Sequence, residues 1–336
     1  MRARRFPRLV TALVGALVAA SSPARGEVST DQPGAIIIFP KIVGGLDQDS
    51  IIQITNATGS KVLARCFYID GAEDPVGGEP VWILTDFQIS LTPQQPAVWV
   101  ASQGLPVEPP DVRIQELYPG PVPPVGDGFT GELRCVVVNE SESPQSRNAL
   151  TGEATLINRT TGATRKYQAI AVPGLPGNNG NNTLLLNDVE YSSCPRLLLL
   201  NNFFVNADDP ILDSPVQTSL TLVPCSMDLE NAVPGTATVQ LEVFNEFEQP
   251  SSFSLTVTCF TDIDLADIRI FDIAVQGSLV GQTRLRPVVD SHTSHGHGIL
   301  GIAEEFSNGG QIGSALNLHI IGGNLQADVM VLPSAF

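Results

Sequence analysis

Hydrophobic side chains recur at every second position over much of this chain, the spacing of strands with one buried face. The clearest run is Asp49 to Asp70, DSIIQITNATGSKVLARCFYID. Ile52 and Ile54 lead into a polar turn, Asn56 to Ser60, and Val62, Ala64 and Cys66 continue the alternation beyond it. Period-two alternation on both sides of a Gly/Asn/Ser turn predicts a hairpin with one buried face. The pattern returns in Thr236 to Ile263, where Val239, Leu241 and Val243 alternate and a polar turn follows Asn245. That return strand ends in Cys259-Phe260, as the first ends in Cys66-Phe67.

Further landmarks recur in the same order. Ala35-Ile-Ile-Ile-Phe-Pro40 matches Ser219-Leu-Thr-Leu-Val-Pro224, and Gly128-Phe-Thr-Gly131 matches Gly298-Ile-Leu-Gly301. Ala149-Leu150 corresponds to Ala315-Leu316, and Ala169-Ile-Ala-Val-Pro173 to Val329-Met-Val-Leu-Pro333. Shared order with length changes confined to loops predicts an internal duplication. Strands are also expected at Asp86 to Thr92 and Ala97 to Val100, whereas Ser102 to Gly128, with seven prolines, reads as a loop or strap along a sheet edge. Helical periodicity is absent, and Ala303 to Phe306 offers one turn at most. The expected fold is all-β: two tandem, internally duplicated, immunoglobulin-like β-sandwich domains at 34–175 and 216–336, joined by a linker and shared strands at 176–215.

A length of 336 residues suits two domains, and 30 Gly and 26 Pro suit short strands with frequent turns. The formal net charge is −17, and five of the 18 basic residues (Arg2, Arg4, Arg5, Arg8, Arg25) precede Glu27, so the rest of the chain is more acidic still. That balance argues against nucleic acid or anionic lipid as partner. Residues 1–26 read as a signal peptide: a basic start, an apolar run from Leu9 to Ala20, and small residues allowing cleavage after Ala24 or Gly26. No later run of about 18 apolar residues offers a transmembrane segment. An exported protein, periplasmic or extracellular, is expected.

Export permits disulfides. Cys66 and Cys135 lie in strand-like runs with Trp82 between them, an order that resembles the inter-sheet bridge and packed Trp of immunoglobulin domains. The resemblance implies a Cys66–Cys135 bond and a core position for Trp82. Leu133 stands where that family carries its corner Tyr, so the likeness is one of architecture. A second bridge joins Cys225 to Cys259 or to Cys194, leaving one thiol as a small buried hydrophobe. Whole phrases, GAIIIFPKI, TDFQISLTPQQPAVWVASQG, QLEVFNEFEQ and GIAEEF, resemble a group of exported bacterial proteins with no assigned activity, which implies export from a bacterium and nothing about mechanism.

Three of the four histidines, His292, His295 and His297, fall within six residues beside Asp290. Imidazoles so spaced can converge on zinc, copper or nickel, with His319 and Glu304 or Glu305 as further ligands. The competing reading is a solvated polar turn. Calcium is the corresponding expectation for Asp208, Asp209 and Asp213, or for Asp262, Asp264 and Asp267. Trp99 is a ligand-stacking position if it faces solvent. Gly296 to Gly301 spells GxGxxG but lacks its βαβ setting, and no nucleophile elbow, zinc-protease or P-loop motif is present. The leading expectation is therefore a non-enzymatic exported protein for attachment, assembly or recognition of a carbohydrate or another surface protein. A periplasmic metal-binding protein built on the His292–His297 loop comes second, and an unrecognised hydrolase third. The second predicts that zinc or copper titration gives a heat above buffer, which disappears when His292, His295 and His297 are all changed to Ala.

Overall fold

A computed structural model describes residues 27–72, 82–211, 213–288, 298–323 and 327–334. The described chain is almost wholly β, with short 3-10 turns and one four-residue helix, Ile273–Gln276. Its strands form five sheets and a two-residue ribbon. Sheet I runs Leu84–Leu91, Val62–Asp70, Phe129–Val138, Ile36–Gly44, Ile170–Val172, and sheet II runs Pro96–Val100, Gln48–Asn56, Leu150–Asn158, Thr164–Gln168. Sheet III is Thr183–Leu186, Asp328–Val331, Met227–Asp228. Sheet IV is Pro250–Thr258, Thr236–Asn245, Val280–Pro287, Pro195–Phe203, His319–Gly323, and sheet V is Thr261–Asp264, Gln217–Pro224, Ile299–Ser307, Ile312–Asn317.

The arrangement is a five-bladed β-propeller and corrects the expected pair of tandem sandwich domains. Sheets I and II share one core, sheets IV and V another, and a third joins sheet I to sheets III and V. Sheet V meets sheet II where Gln168 N donates to Asn317 Oδ1 at 2.9 Å. The blades are not sequential meanders, since each sheet takes strands from separated stretches of chain. Sheets I and II draw only on residues 36–172 and sheets III, IV and V only on 183–331, and the two stretches meet in the third core.

The apolar run Ile36–Gly44 shows why a third core forms. Every residue in it is buried: Ile37, Phe39 and Ile42 face sheet II, while Ile36 and Ile38 face the other way. A strand buried on both faces reads as a continuous apolar run, and each such side chain contributes about 1.5–3 kcal/mol. Gly152 of sheet II lies against the Phe39 ring, where a Cβ would come within 2.6 Å.

The predicted hairpin at Asp49–Asp70 is also corrected. Gln48–Asn56 and Val62–Asp70 are both strands, but they pair with different partners and belong to sheets II and I. Their alternating residues meet across the core from opposite sides, which gives the same period-two signature. Its echo, Thr236–Asn245 with Pro250–Thr258, is a true hairpin within sheet IV. An Asn closes both turns. Asn56 Nδ2 donates to Ser60 O and Thr92 O, and Asn245 Nδ2 donates to Gln276 O, while each Oδ1 accepts backbone N–H groups of its turn. The duplication survives in part: Ile36–Gly44 pairs with Phe129–Val138 as Gln217–Pro224 pairs with Ile299–Ser307. It fails at Asp328–Val331, which belongs to sheet III rather than lying beside Gln217–Pro224. Ala303 to Phe306 continues a strand and makes no turn of helix.

Cys66 bonds Cys135, but these are directly opposed residues on neighbouring strands of sheet I, so the bridge lies within one sheet and not between two. The second bond is Cys194–Cys225, and Cys259 is the free thiol, correcting the Cys225–Cys259 alternative. Cys259 is buried, and burial pushes its thiol well above the ordinary range, so it is held as an unreactive hydrophobe. Of the two tryptophans, Trp99 is the more deeply buried. Trp99 lies in the core between sheets I and II, 3% exposed, edge-on to Phe87, and donates from Nε1 to Tyr68 Oη at 2.6 Å. Trp82 is half-buried at the rim of the third core.

Two buried ion clusters tie the sheets. Lys41 Nζ of sheet I reaches Asp262 at 2.6 Å and also Glu304, both of sheet V, and Arg165 Nε of sheet II lies 2.8 Å from Glu304 Oε1. Arg134 and Glu132, both fully buried on sheet I, pair at 2.8 Å, and Arg134 donates onward to Cys225 O at 3.1 Å and to Pro224 O. Removing one partner of a buried pair strands the other charge. Glu304→Ala should therefore lower unfolding stability by about 3–5 kcal/mol, read from urea denaturation as a lower midpoint at unchanged slope.

Candidate binding face

One face of sheet IV packs on sheet V; among the described residues the other covers no sheet, and the alternation places mostly polar side chains there. Across the strands, Asn201, Gln282 and Phe244 stand in one row, Leu199, Arg284 and Glu242 in the next, then Arg286 and Gln240. Thr238 faces Thr256 and Thr236 faces Thr258, with hydroxyls 3.4 Å apart in each pair. Neighbouring side chains in a row are set by the strand spacing of about 4.8 Å. The face is thus a fixed grid of amides, hydroxyls and guanidinium groups.

At one end the grid deepens into a cleft of about 840 Å³, within the usual size of small-molecule sites. Its floor is the Asn201, Gln282 and Phe244 row. Glu246 and Glu248, from the hairpin turn, and Glu305 of sheet V form its acidic rim. The Arg284 guanidinium lies 4.7 Å from the Phe244 ring centroid, a cation–π contact that holds both side chains in place. Gln282 Nε2 reaches Asn201 Oδ1 at 3.4 Å, leaving the remaining amide hydrogen-bonding capacity for a ligand. Beneath, Thr283 Oγ1 donates to the buried Asn202 Oδ1 at 2.8 Å, fixing the backbone that carries the row. Glu246 accepts from Ser278 Oγ at 2.6 Å. Burial raises the Glu305 carboxyl, opposed by a hydrogen bond from the Phe203 amide. Three carboxylates against one guanidinium make the cleft unfavourable for anions.

The positions singled out in the sequence do not meet here. His292, His295, His297 and Asp290 lie outside the described residues. Of the further ligands offered, Glu304 is held in the Lys41–Arg165 cluster, while His319 lies on the edge strand of sheet IV. Asp262 accepts from Ser219 and Thr221 and pairs with Lys41, whereas Asp264 accepts from Ala266 N as the cap of a 3-10 turn. Asp209 likewise accepts from Ile211 N within its own turn. Neither acidic triplet brings its oxygens together among the described residues. Trp99, buried in the core, presents no ring to a ligand. Phe244 was visible within QLEVFNEFEQ as an alternating position, but nothing local marked it as facing a cleft. Among the described residues no helix is long and apolar enough to cross a membrane.

No protein-family model matches this chain, and a comparison with curated proteins finds no similar sequence. The functional reading therefore rests on this chain's own geometry. Gly281 supports the cleft from below, since a Cβ there would stand 2.4 Å from the Phe204 ring and 2.8 Å from Phe244 O. Gly281→Ala should cost about 1–3 kcal/mol through overpacking, seen as a lower thermal midpoint.

Proposed function

We propose that this is an exported recognition protein that binds a neutral carbohydrate on the outer face of sheet IV, without turning it over. The observation that carries the reading is the Asn201, Gln282 and Phe244 row beside Arg284 at the floor of the cleft. Vicinal hydroxyls both donate and accept, so they suit side-by-side amides and a guanidinium fixed on a rigid sheet. The acidic rim favours a neutral glycan over a sulfated or uronic one. The Thr and Ser positions further along Thr236–Asn245 and Pro250–Thr258 offer the same polar chemistry to a longer chain. Two disulfides suit an oxidising compartment and support export.

The test is a panel of neutral oligosaccharides (gluco-, manno-, galacto- and chito-oligomers) immobilised for binding and followed by calorimetry. At least one should be retained, and Phe244→Ala and Gln282→Ala should each weaken it about tenfold, the loss of one packed ring or one hydrogen-bonding group. Retention of none, or binding by both variants as tight as that of the unaltered protein, overturns the reading.

A further inference from the structure

Away from that face, the third core holds a group of donors that the sheets alone do not require. Cys194 immediately precedes the strand Pro195–Phe203, Cys225 follows Gln217–Pro224, and Asp328 opens Asp328–Val331. All three are fully buried, and their two sulfurs and one carboxylate oxygen lie within 4.8 Å of one another. Asp328 uses only one oxygen for the fold: Oδ1 accepts from Ser226 Oγ at 2.8 Å and from Gly298 N at 3.0 Å. Its other oxygen, Oδ2, is buried with no hydrogen-bond partner among the described residues. An asparagine would supply the same Oδ1 acceptor without a carboxylate, so holding an acid here is costly unless Oδ2 has a use. Gly298 closes the group from above. A Cβ there would stand 2.4 Å from Cys194 Cβ, 2.6 Å from Asp328 Oδ2 and 3.0 Å from Cys225 Sγ, so only glycine lets the backbone approach all three.

We propose that the dithiol form of Cys194 and Cys225 makes, with Asp328 Oδ2, a three-donor site for a thiophilic divalent cation such as zinc, and that closure of the disulfide abolishes it. Two thiolates and one carboxylate are ordinary zinc ligands, with bonds of about 2.3 Å to sulfur and about 2.0–2.2 Å to oxygen, leaving a fourth position for water. The chain meets the metal before oxidation, or after reduction by a dithiol. In that reduction one thiolate of the reductant attacks one cysteine sulfur, the other cysteine leaves as thiolate, and the second thiol of the reductant resolves the mixed disulfide. The cysteines gain two electrons and two protons, and the reductant becomes a cyclic disulfide. Metal binding then displaces the thiol protons.

The experiment uses the full chain, produced in a reducing cytosol and kept reduced, with cobalt as a spectroscopic probe and far-ultraviolet circular dichroism as the measure of folding. One equivalent of cobalt should give a thiolate-to-metal charge-transfer band that zinc displaces. The oxidised protein and the Cys194→Ser/Cys225→Ser variant should lack the band, and Cys66→Ser/Cys135→Ser should keep it. Asp328→Asn, which keeps the Oδ1 acceptor, should bind roughly tenfold or more weakly at an unchanged β signal. Binding at His292, His295 and His297 is distinguished because it needs no reduction and gives no thiolate band. The proposal is overturned by absence of the band in reduced wild type, by its persistence in Cys194→Ser/Cys225→Ser, by full affinity in Asp328→Asn, or by loss of the β signal on reduction.

Discussion

Charge that has nowhere else to go holds the two halves of this chain together. Lys41 sits on a strand buried on both faces, and its ammonium pairs with Asp262 and Glu304 from the far half of the sequence. Arg165 reaches the same Glu304 from sheet II, so one carboxylate joins three sheets. Burial works against the Lys41 charge, but the two carboxylates prevail and leave its pKa raised, so the site stays ionised. Arg134 repeats the device elsewhere on sheet I, where it spans to the carbonyls of Pro224 and Cys225. An apolar contact tolerates sliding. A buried, paired charge does not, because each ångström of separation exposes an unpaired ion to low dielectric.

Much of the strand content was legible in the alternation of Ile52, Ile54, Val62 and Ala64 and of Val239, Leu241 and Val243. What was not legible is which strand pairs with which. Gln48–Asn56 and Val62–Asp70 bury alternate residues against one another across a core, and a hairpin buries alternate residues on one side. The two cases have the same periodicity, and the same asparagine-closed turn serves both. Only the partner strands, Pro96–Val100 and Leu150–Asn158 for one and Leu84–Leu91 and Phe129–Val138 for the other, tell them apart. Apart from Leu84–Leu91, which is the next strand along, those partners come from distant sequence. The same limit made two sandwiches of what is a ring of five sheets.

The candidate face on sheet IV was less legible than the fold. Asn201, Gln282 and Phe244 are far apart in the chain and become a row only through strand register. Clusters close in sequence were easier to see and less informative: Asp262 and Asp264 serve, respectively, an ion pair and a turn cap. Trp99 followed its alternation inward, to a hydrogen bond with Tyr68, once sheet II was known to lie over sheet I.

The in-sheet bond between Cys66 and Cys135 decides how the chain would take a load applied through its ends. It joins neighbouring strands across a sequence separation of 69 residues. Pulled straight, that much chain would add roughly 230 Å, at about 3.3–3.6 Å per residue. While the bond is closed, a load applied through the termini passes from one sulfur to the other and never reaches the enclosed segment, which includes the paired edge strands of sheets I and II. That part of the molecule is a rigid link under tension, and only the chain beyond it can pay out as slack.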